Sequence, residues 1–199
     1  MDRILVALRI YPGKVKRPLN GYPNDKLKLV TLSISQLRKS LKKYDYKIIL
    51  INDGFNEADL NSILGSGKAD ILEIINTGGI GNYATFELQI SKLLENSNFN
   101  YLYFAEDDYV YTKRAPKIIE EGLSIAHYSS GYDHPDKYIN AKDGGNPQIE
   151  MNAEVTRLSR TKSVHWKLTN STVMSFATYV SRLKEDLDLI QKYSSEKIT

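Results

Sequence analysis

The first part of the chain alternates between short apolar runs and longer segments whose apolar residues recur at helical spacing. The apolar runs cover residues 4–11, 46–54, 70–76 and 101–111. The clearest helical stripe comprises Leu27, Val30, Ile34, Leu37 and Leu41. This order predicts an α/β fold, in which a mainly parallel, Rossmann-like sheet is flanked by helices on both faces. Ligands of such sheets bind at the carboxyl ends of the strands.

Size and composition limit the classes of protein that this chain can represent. With 199 residues, 41% of them hydrophobic, it is long enough for one well-buried core, so we expect a single domain over residues 1–199. The absence of cysteine excludes disulfides, thiolate zinc sites and cysteine nucleophiles. No apolar stretch is long enough to span a membrane, and the first 11 residues are too short for a signal peptide. We therefore expect a cytoplasmic protein, and peripheral contact with a membrane remains open.

The basic residues are concentrated before residue 50, although the net charge is only +3. A basic surface of this kind attracts nucleic acid, anionic lipid or phosphate, but it is more often the solvated face of a helix. A net charge of +3 is small for a dedicated nucleic-acid-binding protein. Nucleic acid is therefore an unlikely partner.

The fourth apolar run, Y-L-Y-F-A-E-D-D-Y-V-Y, is interrupted by the consecutive carboxylates Glu106, Asp107 and Asp108. Acidic side chains at the carboxyl end of a buried strand point into the ligand crevice of an open α/β sheet. Three adjacent anions repel one another unless a cation lies between them. We therefore expect a divalent ion with oxygen ligands, Mg²⁺ or Mn²⁺, that joins these acids to a phosphate-bearing substrate. The simpler alternative is a solvated acidic turn.

A glycine-rich turn follows the third apolar run. Residues 79–84 read G-I-G-N-Y-A and match the dinucleotide fingerprint G-x-G-x-x-A, with Glu106 near the place of a ribose-binding acid. A Rossmann-type oxidoreductase is therefore an alternative. It is less favoured because the motif follows the third strand rather than the first, and because three acids would repel a pyrophosphate. The glycines otherwise permit a tight turn whose amides face a phosphate.

Two polar residues interrupt the apolar strands. Asp53 ends the second strand, where its carboxylate can accept a hydrogen bond from a nucleobase N–H or form a turn with Gly54. Arg9 is a cation within the apolar first strand, so it requires an outlet to solvent or an anionic partner. A bound diphosphate or one of the strand-end acids would supply that partner.

The second half of the chain has a different pattern. Residues 126–162 consist of short strand-like segments and polar loops, which predict a smaller mixed region with substrate loops. We expect a last strand over residues 171–176 and then a helix with Phe176 and Tyr179 on its apolar face. His165 lies beside the only tryptophan, Trp166, and either packs there or completes a metal site. Nucleophile-elbow and Walker motifs are absent, which disfavours hydrolases and P-loop NTPases.

Taken together, these features resemble the GT-A glycosyltransferases over roughly residues 1–125. The resemblance rests on a first strand that ends in a proline turn, a second that ends in Asn-Asp-Gly, a Gly-Asn turn into a helix, and a fourth strand that ends in Glu-Asp-Asp. The compact, cysteine-free chain also looks like small viral or archaeal members, which would place it in the cytoplasm, that of the host if the source is viral.

The resemblance implies a role for each strand end. The first two strands of this superfamily frame the nucleotide base, so Arg9, Tyr11 and Asp53 would lie in a nucleotide-binding half, residues 1–125. The Gly81-Asn82 turn would belong to the same site. Glu106 or Asp107 would contact the ribose, and Asp108, with His165 as a further candidate ligand, would bind Mn²⁺ or Mg²⁺. Residues 126–199 would bind an acceptor that the sequence does not specify.

The reaction implied is transfer of a sugar from a nucleotide-diphosphate donor to an acceptor hydroxyl. If the configuration inverts, a carboxylate must take the acceptor proton; Asp133 is our first choice, ahead of Asp143 and Glu150. A nucleotidyltransferase would share the sheet and the acids but usually has a glycine-rich basic loop after its first strand, of which residues 12–17 are a partial version. The sequence leaves the sugar, the nucleotide, the stereochemical outcome and the oligomeric state open.

Overall fold

Strands and helices alternate along the computed structural model, which describes residues 3–15, 21–96, 98–133, 135–145, 157–169, 172 and 174–195. The first part comprises β1 (Arg3–Ile10), α1 (Lys26–Leu41), β2 (Asp45–Asn52), α2 (Glu57–Leu64), β3 (Ile71–Asn76), α3 (Gly81–Glu95), β4 (Tyr101–Glu106) and α4 (Ala115–Leu123). The second part comprises β5 (Tyr128–Ser129), 3₁₀ turns at Pro135–Tyr138 and Ala141–Asp143, β6 (Leu158–Arg160), β7 (His165–Lys167), β8 (Phe176–Tyr179), α5 (Val180–Glu185) and α6 (Leu187–Ser195).

The main sheet has the strand order β3-β2-β1-β4-β8-β5. β1 lies at its centre and pairs in parallel with β2 and β4, with Arg9 opposite Glu106. β8 runs antiparallel to β4, and β5 runs antiparallel to β8. β6 and β7 form a separate antiparallel hairpin. The prediction of a mainly parallel sheet flanked by helices, with a smaller mixed part, is therefore confirmed.

The core has a layer on each face of the sheet because successive side chains of a strand point in opposite directions. Val6 and Leu8 of β1 face the layer that contains α1, α2 and α4, whereas Leu5 and Ala7 face the layer that contains α3 and α5. All four side chains are fully buried. Central strands buried on both faces need apolar residues at nearly every position, which explains the uninterrupted apolar runs.

Side-chain caps fix the beginnings of α1 and α2. Asp25 accepts a hydrogen bond from the amide of Lys28 at the start of α1, at 3.0 Å. Asn56 accepts one from the amide of Asp59 at the start of α2, at 2.9 Å. Each cap satisfies an amide that would otherwise lack a partner. No helix in the described part of the chain is long and apolar enough to cross a membrane.

The last strand was predicted in the wrong place. It covers Phe176–Tyr179 rather than residues 171–176, of which 171 and 173 lie outside the described residues, and helix begins only at Val180. The aromatic residues assigned to the helix instead pair across strands: Phe176 stacks on Phe104, with centroids 4.4 Å apart, and Tyr179 packs on Tyr101 at 5.0 Å. These cross-strand aromatic contacts stabilise a strand here, although the local spacing of apolar residues fits a helix.

Candidate functional site

The carboxyl ends of β1, β2 and β4 open into a cleft of about 1540 Å³. Its walls are formed by the loop after β1, the first turn of α1, the glycine turn before α3 and the acidic end of β4. Glu106, Asp107 and Asp108 all line this cleft, so the acidic triplet faces a cavity rather than a convex surface. The three carboxylates nevertheless have very different surroundings.

Glu106 is the last residue of β4 and forms an ion pair with Arg9 of the neighbouring β1. The Arg9 Nη2 donates to Oε1 of Glu106 at 2.8 Å, and the two side chains are 8% and 24% exposed. The Arg9 Nη1 also donates to the carbonyl and side-chain oxygens of Asn82, at 2.8 and 2.7 Å. Arg9 therefore has a strand-end acid as its anionic partner, one of the two partners that the sequence predicts, and it ties β4 to the start of α3.

Asp107 is buried, with only 7% of its surface exposed. Its Oδ1 accepts from the ammonium group of Lys26 at 2.7 Å, and its Oδ2 accepts from the backbone amide of Tyr11 at 2.8 Å. Both oxygens are thus engaged by protein donors. The predicted ribose contact of Asp107 stays untested, but its present partners are the loop after β1 and the first residue of α1.

Asp108 is exposed at the turn after β4 and makes no hydrogen bond or ion pair with any described residue. Asp108 lines the cleft, and no described residue occupies its carboxylate oxygens. The Oε2 of Glu106 likewise has no hydrogen-bond partner among the described residues. Since Mg²⁺ and Mn²⁺ are commonly held by one or two carboxylates together with substrate phosphates and water, this donor set fits such an ion.

The described residues do not form a complete metal site by themselves. No group of three or more histidine, aspartate or glutamate side chains in the described part of the chain is arranged to hold an ion. Two carboxylate ligands at most are available at the end of β4, so the remaining ligands must come from a substrate or from water. The arrangement therefore fits an ion that enters together with a phosphate group.

Burial and mutual repulsion raise the pKa values of the first two acids. Burial raises the pKa of Glu106 to about 6. The Arg9 guanidinium lowers this pKa because it stabilises the ionised carboxylate, whereas the charges of Asp108 and Asp107 raise it further. Burial also raises the pKa of Asp107, and the Lys26 ammonium and the Tyr11 amide offset this only in part. The partly desolvated acids therefore repel one another when they are ionised, and a cation in the cleft would reduce this repulsion.

Asp53 forms a dense set of hydrogen bonds with the glycine turn before α3. Its Oδ1 accepts from the Thr77 hydroxyl and from the amides of Gly79 and Ile80, at 2.6, 2.9 and 2.7 Å, and its Oδ2 accepts from the amide of Gly81 at 3.0 Å. Burial raises the pKa of Asp53, but these hydrogen bonds outweigh it and leave the pKa below its ordinary value. Asp53 is therefore a charged cap that shapes the turn.

The turn itself needs glycine. Gly79 and Gly81 have φ angles of 93° and 88°, in the left-handed region that other residues rarely adopt. This conformation directs successive amides toward one carboxylate, as in an anion-binding nest. Asp53 still lines the cleft, and its Oδ2 accepts a single hydrogen bond from the described residues, so a nucleobase contact remains a prediction.

Comparison with known proteins identifies the fold. No protein-family model and no curated protein sequence matches this chain. The 4-diphosphocytidyl-2C-methyl-D-erythritol synthase of Anaerococcus prevotii is similar in structure over 100% of this chain and 79% of its own, with 12% identity and a TM-score of 0.56. TarS of S. aureus, residues 1–349, is similar over 92% of this chain and 49% of its own, with 11% identity and a TM-score of 0.52.

The fold is GT-A-like. At such low identity the likeness establishes the arrangement of the chain and nothing about its chemistry. The prediction of a GT-A fold, made from the order of strand ends, is confirmed.

Within this GT-A-like fold, the glycine turn does not present a dinucleotide site. A Rossmann fingerprint uses free amides at a helix N-terminus to bind pyrophosphate. Here the amides of Gly79, Ile80 and Gly81 already donate to Asp53, and the negative charge of that carboxylate would repel a phosphate. The structure therefore disfavours the oxidoreductase alternative, because the amides of the turn are occupied by Asp53, which the sequence does not reveal.

The predicted residues of the second half do not meet the acids of the GT-A-like cleft. His165 is exposed in the β6–β7 hairpin, whose Trp166 packs near Gly122 of α4, and it is not among the residues that line the cleft. Asp133 is exposed and accepts from the Tyr138 hydroxyl. Asp143 lies at the end of the second 3₁₀ turn and does not line the cleft. Glu150 lies outside the described residues.

Several residues of the cleft were not singled out from the sequence. Tyr22, Tyr109 and Tyr132 line it, as do Lys14 and Lys26. Tyr109 and Tyr132 pack edge to face, with centroids 5.1 Å apart. One feature of the sequence could have placed Lys26 in the cleft: it lies at the start of α1, directly after the loop that leaves the carboxyl end of β1. The tyrosines carried none, because this chain has 14 tyrosines spread along its length.

The raised pKa of Glu106 predicts how the metal-free protein responds to pH. A carboxyl that binds its proton more tightly in the folded state contributes stability below its ordinary pKa and loses it as the pH rises through about 6. In EDTA, wild-type protein should therefore lose up to about 2 kcal/mol of unfolding free energy relative to Glu106→Gln between about pH 4.5 and 7.5. Urea unfolding at intermediate pH values measures this difference, and a difference that does not change with pH would refute the assignment.

Proposed function

We propose that this protein is a metal-dependent glycosyltransferase, which moves a sugar from a nucleotide-diphosphate donor to an acceptor hydroxyl. The observation that carries the proposal is the carboxylate of Asp108, which has no partner among the described residues and lines a large cleft at the carboxyl ends of the central strands. The GT-A-like fold supports it, because this cleft is where an open α/β sheet binds its ligand.

The positions of the lining residues support an order of subsites along the sheet. The side chains of Tyr11 and Asp53, near the ends of β1 and β2, would contact the base and ribose. Asp108 and the free oxygen of Glu106, at the end of β4, would hold Mn²⁺ or Mg²⁺ against the diphosphate. Lys14 lines the same cleft and forms no hydrogen bond or ion pair with any described residue, so its ammonium is available for a phosphate.

Each residue has a defined task in this mechanism. A bound divalent ion would supply Lewis-acid stabilisation of the nucleoside diphosphate as it leaves. Arg9 keeps Glu106 ionised and oriented, through the ion pair at 2.8 Å. Asp133, the neighbour of the cleft residue Tyr132, would take the proton of the acceptor hydroxyl if the configuration inverts. Residues 1–125 would thus bind the donor, and residues 126–199 the acceptor.

Metal and nucleotide should bind together. Because the protein offers at most two carboxylate ligands, Mn²⁺ alone should raise the melting temperature little, whereas Mn²⁺ with the right nucleoside diphosphate at about 100 times its Kd should stabilise by about 2.7 kcal/mol. For a chain of this length that corresponds to a rise of about 5 to 10 °C. A thermal-shift panel of uridine, guanosine, cytidine and adenosine diphosphates, with Mn²⁺ or EDTA, measures this.

The matched variants Asp108→Asn and Asp188→Asn distinguish the loss of a metal ligand from the loss of one negative charge on the protein. Asp108→Asn should abolish the additional stabilisation by Mn²⁺. Asp188→Asn removes the same charge from an exposed position in the first turn of α6 and should leave the response unchanged. The proposal fails if no diphosphate stabilises the protein in Mn²⁺, or if both variants respond like the wild type.

Asp133 is expected to affect turnover rather than donor binding. If the enzyme inverts configuration and Asp133 is its base, Asp133→Asn should lower the rate of transfer by about 10² to 10⁴. The affinity for the nucleoside diphosphate in Mn²⁺ should not change, because Asp133 does not line the donor cleft. Release of diphosphate from a nucleotide-sugar panel gives the rate. An unchanged rate would remove Asp133 from the mechanism.

A nucleotidyltransferase is the second candidate. The A. prevotii synthase, which shares the fold over the whole of this chain, is the precedent for this candidate, since the name of that protein describes the formation of a diphosphocytidyl product. The two activities release different products: a glycosyltransferase releases a nucleoside diphosphate from a nucleotide sugar, and a nucleotidyltransferase releases pyrophosphate from a nucleoside triphosphate and a phosphorylated substrate. Pyrophosphate release without diphosphate release would replace the first proposal by the second.

A further inference from the structure

We propose that Lys26 and Asp107 form an ion-pair brace that positions the loop after β1 for nucleotide binding. In this role Asp107 is a positioning residue and not a ligand of the nucleotide or the metal. The nature of the ligand rests on the proposed function, whereas the brace itself is a property of the ligand-free protein and can be tested without any ligand.

The contacts of Asp107 connect three separate segments. Asp107 lies at the end of β4, the amide of Tyr11 belongs to the loop after β1, and Lys26 is the first residue of α1. The two contacts are 2.8 and 2.7 Å long, and each uses a different carboxylate oxygen. One carboxylate therefore fixes both the start and the far side of the loop that forms a wall of the cleft.

Burial makes these contacts mutually dependent. The side chains of Lys26 and Asp107 are only 16% and 10% exposed. Removal of one partner leaves a desolvated charge without compensation, which is far less favourable than an exposed charge without a partner. Loss of either partner therefore favours a rearrangement that returns the remaining charge to solvent.

Within residues 11–14, the Tyr11 ring is packed against the backbone of Gly13. A Cβ atom at Gly13 would lie 2.3 Å from Cε1 of Tyr11, so the aromatic ring lies directly against the glycine backbone and no side chain fits there. The Tyr11 ring is 55% exposed and lines the cleft, and Lys14 follows directly. Displacement of the Tyr11 amide would therefore displace both the ring and the ammonium group that face the ligand.

Two single variants with opposite charge changes test the brace. Lys26→Met removes a positive charge and Asp107→Ala removes a negative charge. The pair could instead act only through the electrostatic field of its charges, or Lys26 could contact a phosphate directly. In either case Lys26→Met would weaken the binding of an anionic nucleotide and Asp107→Ala would strengthen it. The brace predicts that both weaken the binding of the diphosphate selected by the thermal-shift panel, by about tenfold each.

The double variant and a conservative variant complete this test. Lys26→Met/Asp107→Ala should bind about tenfold more weakly than wild type rather than a hundredfold, since both changes break the same contact. Lys26→Arg keeps the charge and the reach and should restore most of the affinity. Calorimetric titration with the diphosphate and Mn²⁺ measures these values.

Arg38→Met is the matched control for loss of stability alone. Arg38 also lies on α1 and forms an ion pair with Asp70 at 2.8 Å, with side chains 21% and 18% exposed, but neither residue lines the cleft. Its loss should lower the melting temperature and change the affinity for the diphosphate by less than about twofold. A loss of affinity equal to that of Lys26→Met would mean that destabilisation alone accounts for the effect.

Hydrogen exchange tests the brace in the absence of any ligand. The amide of Tyr11 should be protected in wild type and in Arg38→Met, and should exchange faster in Lys26→Met and in Asp107→Ala. If the wild type binds no diphosphate but this exchange pattern holds, the proposed function fails and the brace stands. Two results would refute the brace when the wild type does bind the diphosphate. One is an unchanged exchange rate of the Tyr11 amide in both variants, and the other is tighter binding of the diphosphate by Asp107→Ala.

Discussion

The acidic end of β4 is stabilised by two ion pairs, which give the partly buried Glu106 and the buried Asp107 a cation each. Arg9 lies opposite Glu106 in the parallel pairing of β1 with β4, and Lys26 reaches Asp107 from the start of α1. Without these partners the acids would be desolvated next to one another and next to Asp108, and the strand end would have to move toward solvent. The ion pairs thus hold the central strands, α1 and α3 in the relation that creates the cleft.

The same ion pairs change the physical basis of the metal hypothesis. The sequence suggests three mutually repelling anions that require a divalent cation. In the structure two of them are compensated by the protein, and Asp108 alone has no partner among the described residues. The free protein should therefore have little affinity for an ion by itself, and the phosphates of a donor should complete the coordination. A site of this kind makes metal binding depend on the substrate.

The parts of the fold set by local pattern were predictable, and the parts set by pairing between distant residues were not. The apolar runs predicted β1 to β4 and the clearest helical stripe predicted α1, because central parallel strands must be apolar and surface helices amphipathic. The position of β8 was missed because Phe176 and Tyr179 fit a helix locally, and only their contacts with Phe104 and Tyr101 select a strand. The cross-strand partner decided the structure there.

The candidate site divides in the same way. The carboxyl-end rule located the acids and Asp53 at one cleft, because it depends only on strand direction. It gave no information on which oxygens the protein itself occupies. Thus Asp53 caps a glycine turn, Asp107 binds Lys26, and His165 lies on a hairpin away from the residues that line the cleft. The assignments of Asp53 and Asp107 follow from contacts between residues separated by 28 and 81 positions, which no short motif records.

Paramagnetic broadening in two-dimensional amide NMR spectra tests the central claim most directly. With Mn²⁺ and the nucleoside diphosphate that stabilises the protein, the account predicts loss of signal around Asp108, Glu106 and the loop at Tyr11, and sharp signals for the β6–β7 hairpin. The loss should require the diphosphate and should disappear in Asp108→Asn. Broadening centred on His165, or broadening by Mn²⁺ alone that persists in Asp108→Asn, would contradict the account.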